Sequence, residues 1–138
     1  METYRGLVMA QETDSNDHLN VQFYTTRFDM ATGQFMTYLG YDISEMKARN
    51  LGFAYVEMNI RFIREVFEDQ AIHIETKVLD CSEKVVTIQH ELKNSLSQKV
   101  HSSAIAKWLI FDKKIRKSIP LPEEVRKRIT NMIEKTDE

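Results

Sequence analysis

The most constraining feature of the sequence is one stretch of helical periodicity between two marked ends. From residue 21 onward, apolar side chains recur at intervals of three and four, the spacing that lets a helix bury one face. The residues of this stripe are Val21, Tyr24, Phe28, Ala31, Phe35 and Leu39. Asn20 stands at the N-cap position, and Gly40 follows where a left-handed C-terminal cap is favoured. The pattern predicts a helix of about five turns, roughly 28 Å long.

The rest of the chain is dominated by the period of two that is typical of strands. Beyond Gly52, alternation places one set of apolar residues on a common face, namely Val56, Met58, Ile60 and Phe62. Two further runs alternate in the same way, namely Ile72, Ile74, Thr76 and Val78, and then Val86, Ile88, His90 and Leu92. A turn is predicted over residues 81–84, a fourth long strand over residues 100–111, and a short first strand over residues 4–10. Consecutive strands are expected to pair as antiparallel neighbours.

Two shorter helices complete the predicted plan. One covers residues 44–49 with Ser44 as its N-cap, and one covers residues 123–134 with a thin apolar stripe. The expected fold class is therefore α+β, an antiparallel sheet of about five strands wrapped around one long helix. Such a sheet has an open edge, so we expect a homo-oligomer, either a dimer or a dimer-based tetramer.

Size and composition narrow the function classes. The 138 residues suit a single domain spanning residues 1–138. An apolar content of 42% and a net charge of -2 are ordinary for a globular protein, so nucleic acid is not an expected partner. The sequence has one cysteine, a polar start and no apolar run of about 20 residues, which predicts a cytoplasmic protein without a membrane span.

A motif at the start of the long helix resembles a known family. Residues 12–24 are similar to the Asp-x-Asp-x-x-Gly-His-(Val/Met/Leu)-Asn-x-x-x-Tyr segment of hotdog-fold acyl-CoA thioesterases of the 4-hydroxybenzoyl-CoA thioesterase type. The agreement lies at Asp14, His18, Leu19, Asn20 and Tyr24, whereas Glu12 replaces the first Asp and Asp17 replaces the Gly. The later strands and the ending at Pro120 to Pro122 also resemble this family. The resemblance implies a hotdog fold and hydrolysis of an acyl-CoA thioester to free acid and CoA, with no separate cofactor.

Thioester hydrolysis needs an activated water or a nucleophile, and donors for the oxyanion. Asp14 is the candidate carboxylate, as general base or as direct nucleophile, with His18 and Asn20 as further candidate catalytic residues. The backbone amides of Val21 and Gln22, in the first turn of the helix, are the candidate oxyanion donors. Asp14, His18 and Asn20 could instead serve only the loop and the helix cap.

Substrate binding is assigned to aromatic and basic side chains. The aromatic candidates for an acyl pocket are Tyr24, Phe28, Phe62 and Trp108, although such residues are usually part of the core. The candidates for the CoA phosphates are Arg61, Arg64, Lys84, Lys113, Lys114 and Arg116. The spacing of the remaining histidines and of Cys81 does not support a metal site.

Three alternatives stay open from the sequence. Residues 28–32 also resemble the thioesterase domains found beside carnitine dehydrogenases, which implies a betainyl-CoA-type substrate. Residues 14–18 resemble the Asp-x-Asn-Pro-x-His segment of hotdog enoyl-CoA hydratases, with one residue fewer and without the proline. A non-catalytic acyl-CoA-binding domain is the third.

Overall fold

A computed structural model describes the backbone of residues 1–137 and the side chains of residues 1–133. The elements in chain order are β1 (Glu2–Leu7), a single 3-10 turn (Ala10–Glu12), α1 (Val21–Tyr38), α2 (Ile43–Ala48), β2 (Leu51–Phe62), β3 (Ala71–Cys81), β4 (Val85–Asn94), β5 (Val100–Asp112), β6 (Lys117–Ser118) and α3 (Glu123–Asp137). The antiparallel sheet wraps around α1, which confirms the predicted α+β class.

Helix α1 begins and ends where its cap residues predict. The Asn20 side chain accepts a hydrogen bond from the Gln22 amide at 3.2 Å, and Gly40 has a φ of 80° just after the helix. Such a φ suits glycine because it has no Cβ. The predicted stripe is buried from Tyr24 to Leu39, but Val21 is 60% exposed. The first residue of the stripe thus lies outside the core, at the open end of the helix.

The strands lie in the order β1, β3, β4, β5, β2, with β6 paired to β5. Consecutive pairing is confirmed for β3, β4 and β5. It is wrong for β2 and β3, because β2 pairs with β5 from Leu51 opposite Asp112 to Phe62 opposite Ser102. The reason is that residues 63–70 do not form a hairpin turn. They instead cross to the loop before α1, where His18 forms a bridge with Phe67.

A β-bulge in β2 changes which side chains of that strand face the core, so the predicted face is partly wrong. The register shifts between Tyr55 and Glu57, so Val56 is the extra residue and is 57% exposed. Met58 and Ile60 pack against the core as predicted, but Phe62 is 54% exposed. A bulge reverses the alternation on one side of it, which a strict period of two does not anticipate.

Helices α2 and α3 both pack against one half of the core. In α3, Val125 and Ile129 are fully buried, so the predicted apolar stripe is confirmed there. Helix α2 begins at Ile43, and its cap is Asp42, whose side chain accepts from the Glu45 amide at 2.9 Å. The prediction of Ser44 as the cap is therefore wrong, because Ser44 lies inside the first turn.

A histidine sits inside the apolar core behind α1. His90 is fully buried, its ring stacks on Phe28 at 5.7 Å, and its Nε2 lies 2.9 Å from the Thr32 hydroxyl. That hydroxyl donates to the Phe28 carbonyl, so it accepts from Nε2, and Nδ1 is left to accept from Thr76 at 2.7 Å. These partners suit the neutral ring, and burial lowers the pKa of His90 to about 4.

Candidate active site

The loop of residues 13–20 is closed by its own backbone. The Asp14 amide donates to the His18 carbonyl at 3.0 Å, and the Asp17 amide donates to the Asp14 carbonyl at 3.0 Å. Asp17 has a φ of 62°, the left-handed conformation that glycine adopts most easily. Asp17 therefore adopts a glycine-like backbone at the position where the resembling family has Gly. Aspartate is among the residues that tolerate it best.

A buried ion pair braces this loop against α1. Arg27 donates to a Glu12 carboxyl oxygen at 2.7 Å, and the Met9 amide donates to the same oxygen at 2.8 Å. Burial alone would raise the pKa of Glu12, but these hydrogen bonds lower it below its ordinary value. Glu12, which replaces the family's first Asp, thus holds the loop from behind.

A second segment forms the opposite wall of the site. The Leu19 amide donates to the Val66 carbonyl at 2.7 Å, which ties the loop to the residues that follow β2. Between them lies a cavity of about 320 Å³. Its lining residues are Asp14, His18, Leu19, Asn20, Val21, Tyr24, Phe62, Ile63, Arg64 and Glu65.

Asp14 lies in this cavity with its carboxylate held in place. One oxygen accepts from the Asn16 amide at 2.8 Å, and the other lies 3.4 Å from the Asn20 side-chain nitrogen. The Asp14 side chain remains 22% exposed, so a bound molecule can reach it. His18 Nδ1 lies 3.8 Å from Asp14 but 3.2 Å from the Leu19 carbonyl, to which it donates. Nδ1 is thereby committed to the backbone, and in the neutral ring Nε2 is the acceptor.

The two candidate oxyanion donors differ in their surroundings. The Gln22 amide already donates to the Asn20 side chain as part of the helix cap, and Gln22 does not line the cavity. Val21 does line it, at the positive end of the helix dipole. Of the two, the geometry favours the Val21 amide as the donor.

The predicted aromatic set divides between the cavity and the core. Tyr24 and Phe62 meet edge to face at the cavity, with ring centroids 4.9 Å apart. Phe28 is buried against His90, and Trp108 is buried 5.3 Å from Phe53 in the other half of the core. Phe28 and Trp108 are therefore core residues of the protomer, as is usual for such side chains, because inward-facing positions of α1 and β5 fill the core.

The predicted basic set also divides, by strand register. Arg64 lines the cavity, and exposed Arg61 precedes Phe62 on β2 but is not part of the lining. The others lie at the opposite end of the sheet, since Asp112 pairs with Leu51 and Val85 with Leu109. About ten residues of strand separate these ends, roughly 30 Å. Within one protomer, Lys84, Lys113, Lys114 and Arg116 are too far away to serve this cavity.

Sequence reasoning missed two lining residues, Ile63 and Glu65. They follow the end of β2, and no periodicity or motif marks them. Their position depends on the contact of residues 63–67 with the loop before α1, which is a long-range pairing.

No group of three or more His, Cys, Asp or Glu residues within the described chain is arranged to hold a metal ion. No helix in that part of the chain is long and apolar enough to span a membrane. A larger groove of about 870 Å³ runs along α1 beside β1 and α2, and none of the predicted site residues lines it. The smaller cavity is therefore the candidate site, because the motif residues converge there.

Comparison with known proteins agrees with this placement of the motif. A family model for the thioesterase-like superfamily matches residues 8–129. The chain belongs to this superfamily. The sheet wrapped around one helix is accordingly the hotdog fold of these thioesterases.

Relatives within this superfamily include proteins with named substrates. A betainyl-CoA thioesterase from Pseudomonas aeruginosa is 29% identical over 67% of this chain and 58% of its own length. An L-carnitine dehydrogenase/betainyl-CoA thioesterase from Rhizobium meliloti is 27% identical over 92% of this chain and 25% of its own. The chain thus matches less than two thirds of the length of either relative.

A solved structure shares the fold at lower identity. It is a Staphylococcus aureus protein in complex with CoA, with a TM-score of 0.90 and 15% identity, covering 97% of this chain and 85% of that one.

Proposed function

We propose that this chain hydrolyses acyl-CoA thioesters to the free acid and CoA. The observation that carries the proposal is the Asp14 carboxylate, held in an accessible cavity beside the N-terminus of α1. Membership of the thioesterase-like superfamily and the activity named for the two relatives support it.

In the proposed reaction, the thioester carbonyl oxygen points at the Val21 amide. Asp14 takes a proton from water, which attacks the carbonyl carbon, or attacks that carbon itself to form a mixed anhydride that water then cleaves. Negative charge that develops on the carbonyl oxygen is stabilised by the amide and the helix dipole. In the base route the C–S bond then breaks, and the CoA thiolate takes up the proton that Asp14 took from water. In the nucleophile route the C–S bond breaks as the anhydride forms, before water cleaves it, and the thiolate takes up a proton from solvent. Asn20 positions Asp14, and His18 Nε2 faces the substrate group or a water.

The acyl group is the finer part of the proposal. The names of the two relatives favour betainyl-CoA, and the resemblance over residues 28–32 points the same way. A quaternary ammonium can be held by aromatic rings, and Tyr24 and Phe62 place two rings at the cavity.

The proposed function is tested by a panel of acyl-CoA substrates with free thiol as the readout. We expect thiol release that a chelator does not abolish, since a carboxylate and amides suffice for the chemistry and no cofactor is proposed. Loss of release with the chelator and its recovery with zinc would contradict that part. Absorbance of an enoyl-CoA, followed in the same assay, identifies a hydratase if it falls without thiol release. Binding without any reaction identifies a non-catalytic acyl-CoA-binding domain.

We also propose a homodimer, or a tetramer built from dimers, formed through the free edge of β2. This strand pairs on one side with β5. It ends at exposed Phe62, which exposed Ile63 follows, beside the candidate site. An unpaired edge with exposed apolar residues is a surface that proteins usually cover. The cytoplasmic location stays a prediction.

The expected result is a dimer or larger assembly by light scattering at micromolar concentration. Val56→Lys places a charge on the exposed bulge of β2 and should weaken the dimer at least about tenfold. Leu96→Lys is the matched control, because Leu96 is 94% exposed and lies in the β4–β5 turn rather than on β2. A monomeric parent protein at that concentration would count against the assembly.

A further inference from the structure

The lining of the candidate active-site cavity contains a second carboxylate besides Asp14. Glu65 lines it together with Asp14, and the edge-to-face pair of Tyr24 and Phe62 lies in the same lining. An aromatic pair flanked by two carboxylates suits a bound group that has both positive charge and an apolar surface.

The cavity lining also contains one cationic side chain, Arg64, whose guanidinium is hydrogen-bonded to the backbone. Arg64 donates to the Val100 carbonyl, and Arg27 is paired with Glu12 behind the loop. Among the described residues, no Lys or Arg side chain forms an ion pair with Asp14 or Glu65. The lining thus has two carboxylates against one guanidinium, and neither carboxylate has a Lys or Arg ion-pair partner.

The phenol of Tyr24 responds to this field. Burial raises the pKa of Tyr24, and the carboxylates of Asp14 and Glu65 raise it further, against an opposing effect of Arg27. Both carboxylates therefore act on the ring at which an acyl group would lie.

We propose that Glu65, together with Tyr24 and Phe62, makes the site selective for acyl groups that carry a quaternary ammonium beside the thioester carbonyl. This inference rests on the proposed function. A quaternary ammonium donates no hydrogen bond, so it is recognised by aromatic rings and by the field of carboxylates. In such a substrate one methylene separates nitrogen from carbonyl carbon, so a single cavity must hold both groups. Asp14 for the carbonyl and Glu65 for the cation meet that requirement.

The sharpest test uses two substrates that differ only in charge. Betainyl-CoA carries a trimethylammonium group, and 3,3-dimethylbutyryl-CoA has a neutral carbon in place of the nitrogen, with the same shape. Thiol release gives kcat/KM for each. We expect the parent protein to favour betainyl-CoA by about tenfold, the combined size of cation–π contacts with two rings and attraction by the carboxylates.

Variants assign the preference to Glu65. Glu65→Gln keeps the size of the side chain but removes the charge, so the betainyl to neutral ratio should fall about tenfold. Glu68→Gln is the matched control, since it removes the same charge from an exposed residue outside the cavity lining, and its ratio should stay near that of the parent. Phe62→Leu removes one ring and should lower the ratio several-fold. Circular dichroism verifies that each variant is folded.

The outcomes separate this inference from the proposed function. Equal kcat/KM values for the two substrates in the parent protein overturn the selectivity and leave the thioesterase proposal standing. An unchanged ratio in folded Glu65→Gln, or an equal fall in Glu68→Gln, overturns the role of Glu65. Absence of thiol release across the whole acyl-CoA panel overturns the proposed function itself, and the selectivity with it.

Discussion

Asp14→Asn should lower kcat on the best acyl-CoA substrate by about 10²–10⁴ while the protein stays folded and keeps the parent's state of assembly. An asparagine has nearly the same shape and can still accept from the Asn16 amide, which lies 2.8 Å from the carboxylate in the parent protein. It cannot act as a base toward water or as an effective nucleophile. The KM should change little, since the substitution removes an interaction made mainly in the transition state. Steady-state kinetics on purified protein measure both constants.

The matched control is Asp17→Asn in the same loop. Asp17 is exposed and does not line the cavity, and asparagine also tolerates its left-handed backbone. This variant should turn over at close to the parent rate. His18→Ala and Asn20→Ala should each cost less than Asp14→Asn, because water can partly replace positioning groups. If Asp14→Asn kept turnover within about threefold of the parent, Asp14 would not be the catalytic carboxylate.

The fold is largely predictable because its strongest local signals agree with its long-range packing. The α1 stripe with Asn20 and Gly40 at its ends defines one helix, and period-two alternation marks the long strands. The pairing of β2 with β5 is not predictable in this way, since alternation tells which face of a strand is apolar but not which strand lies beside it. The bulge at Val56 is hidden for a related reason, because one inserted residue leaves the composition of the strand almost unchanged.

The candidate site is predictable where one continuous segment supplies it. Asp14, His18, Asn20 and Tyr24 are close in sequence, so a single short motif contains all four. Glu65 joins them only because the Leu19 amide binds the Val66 carbonyl, a contact between distant segments. The basic residues that could bind CoA are the least predictable group. Their distance from the cavity depends on which end of the sheet they lie at, and this is set by the strand pairing.

The sequence places His90 on one alternating face of a strand. Its effect on stability depends on its burial, which only the packed core provides. The fold favours the neutral form of His90, whose pKa is about 4 in the folded protein. In the unfolded chain its pKa is near the ordinary value of 6.5, so the unfolded chain binds a proton more readily. Stability from this residue is therefore fully present above about pH 6.5 and is lost as pH falls toward 4. No charged partner offsets this within the described residues, since the ring contacts Thr32, Thr76 and Phe28.

The free energy of unfolding should therefore fall by about 2 kcal/mol between pH 7 and pH 5 from His90 alone, and by ~3 kcal/mol near pH 4. Carboxylates with lowered pKa values, such as Glu12 and Glu75, lose their contributions to stability mainly below pH 4.5. The change in stability between pH 7 and pH 5 therefore reports on the histidine. Urea unfolding at a series of pH values measures the slope. His90→Gln should be less stable at pH 7 but nearly flat from pH 7 to pH 5, whereas His101→Gln, at a partly exposed histidine, should keep the parent slope. A parent slope that survives in His90→Gln would mean that the acid sensitivity arises from other groups, and that the core accommodates a charged ring at this position.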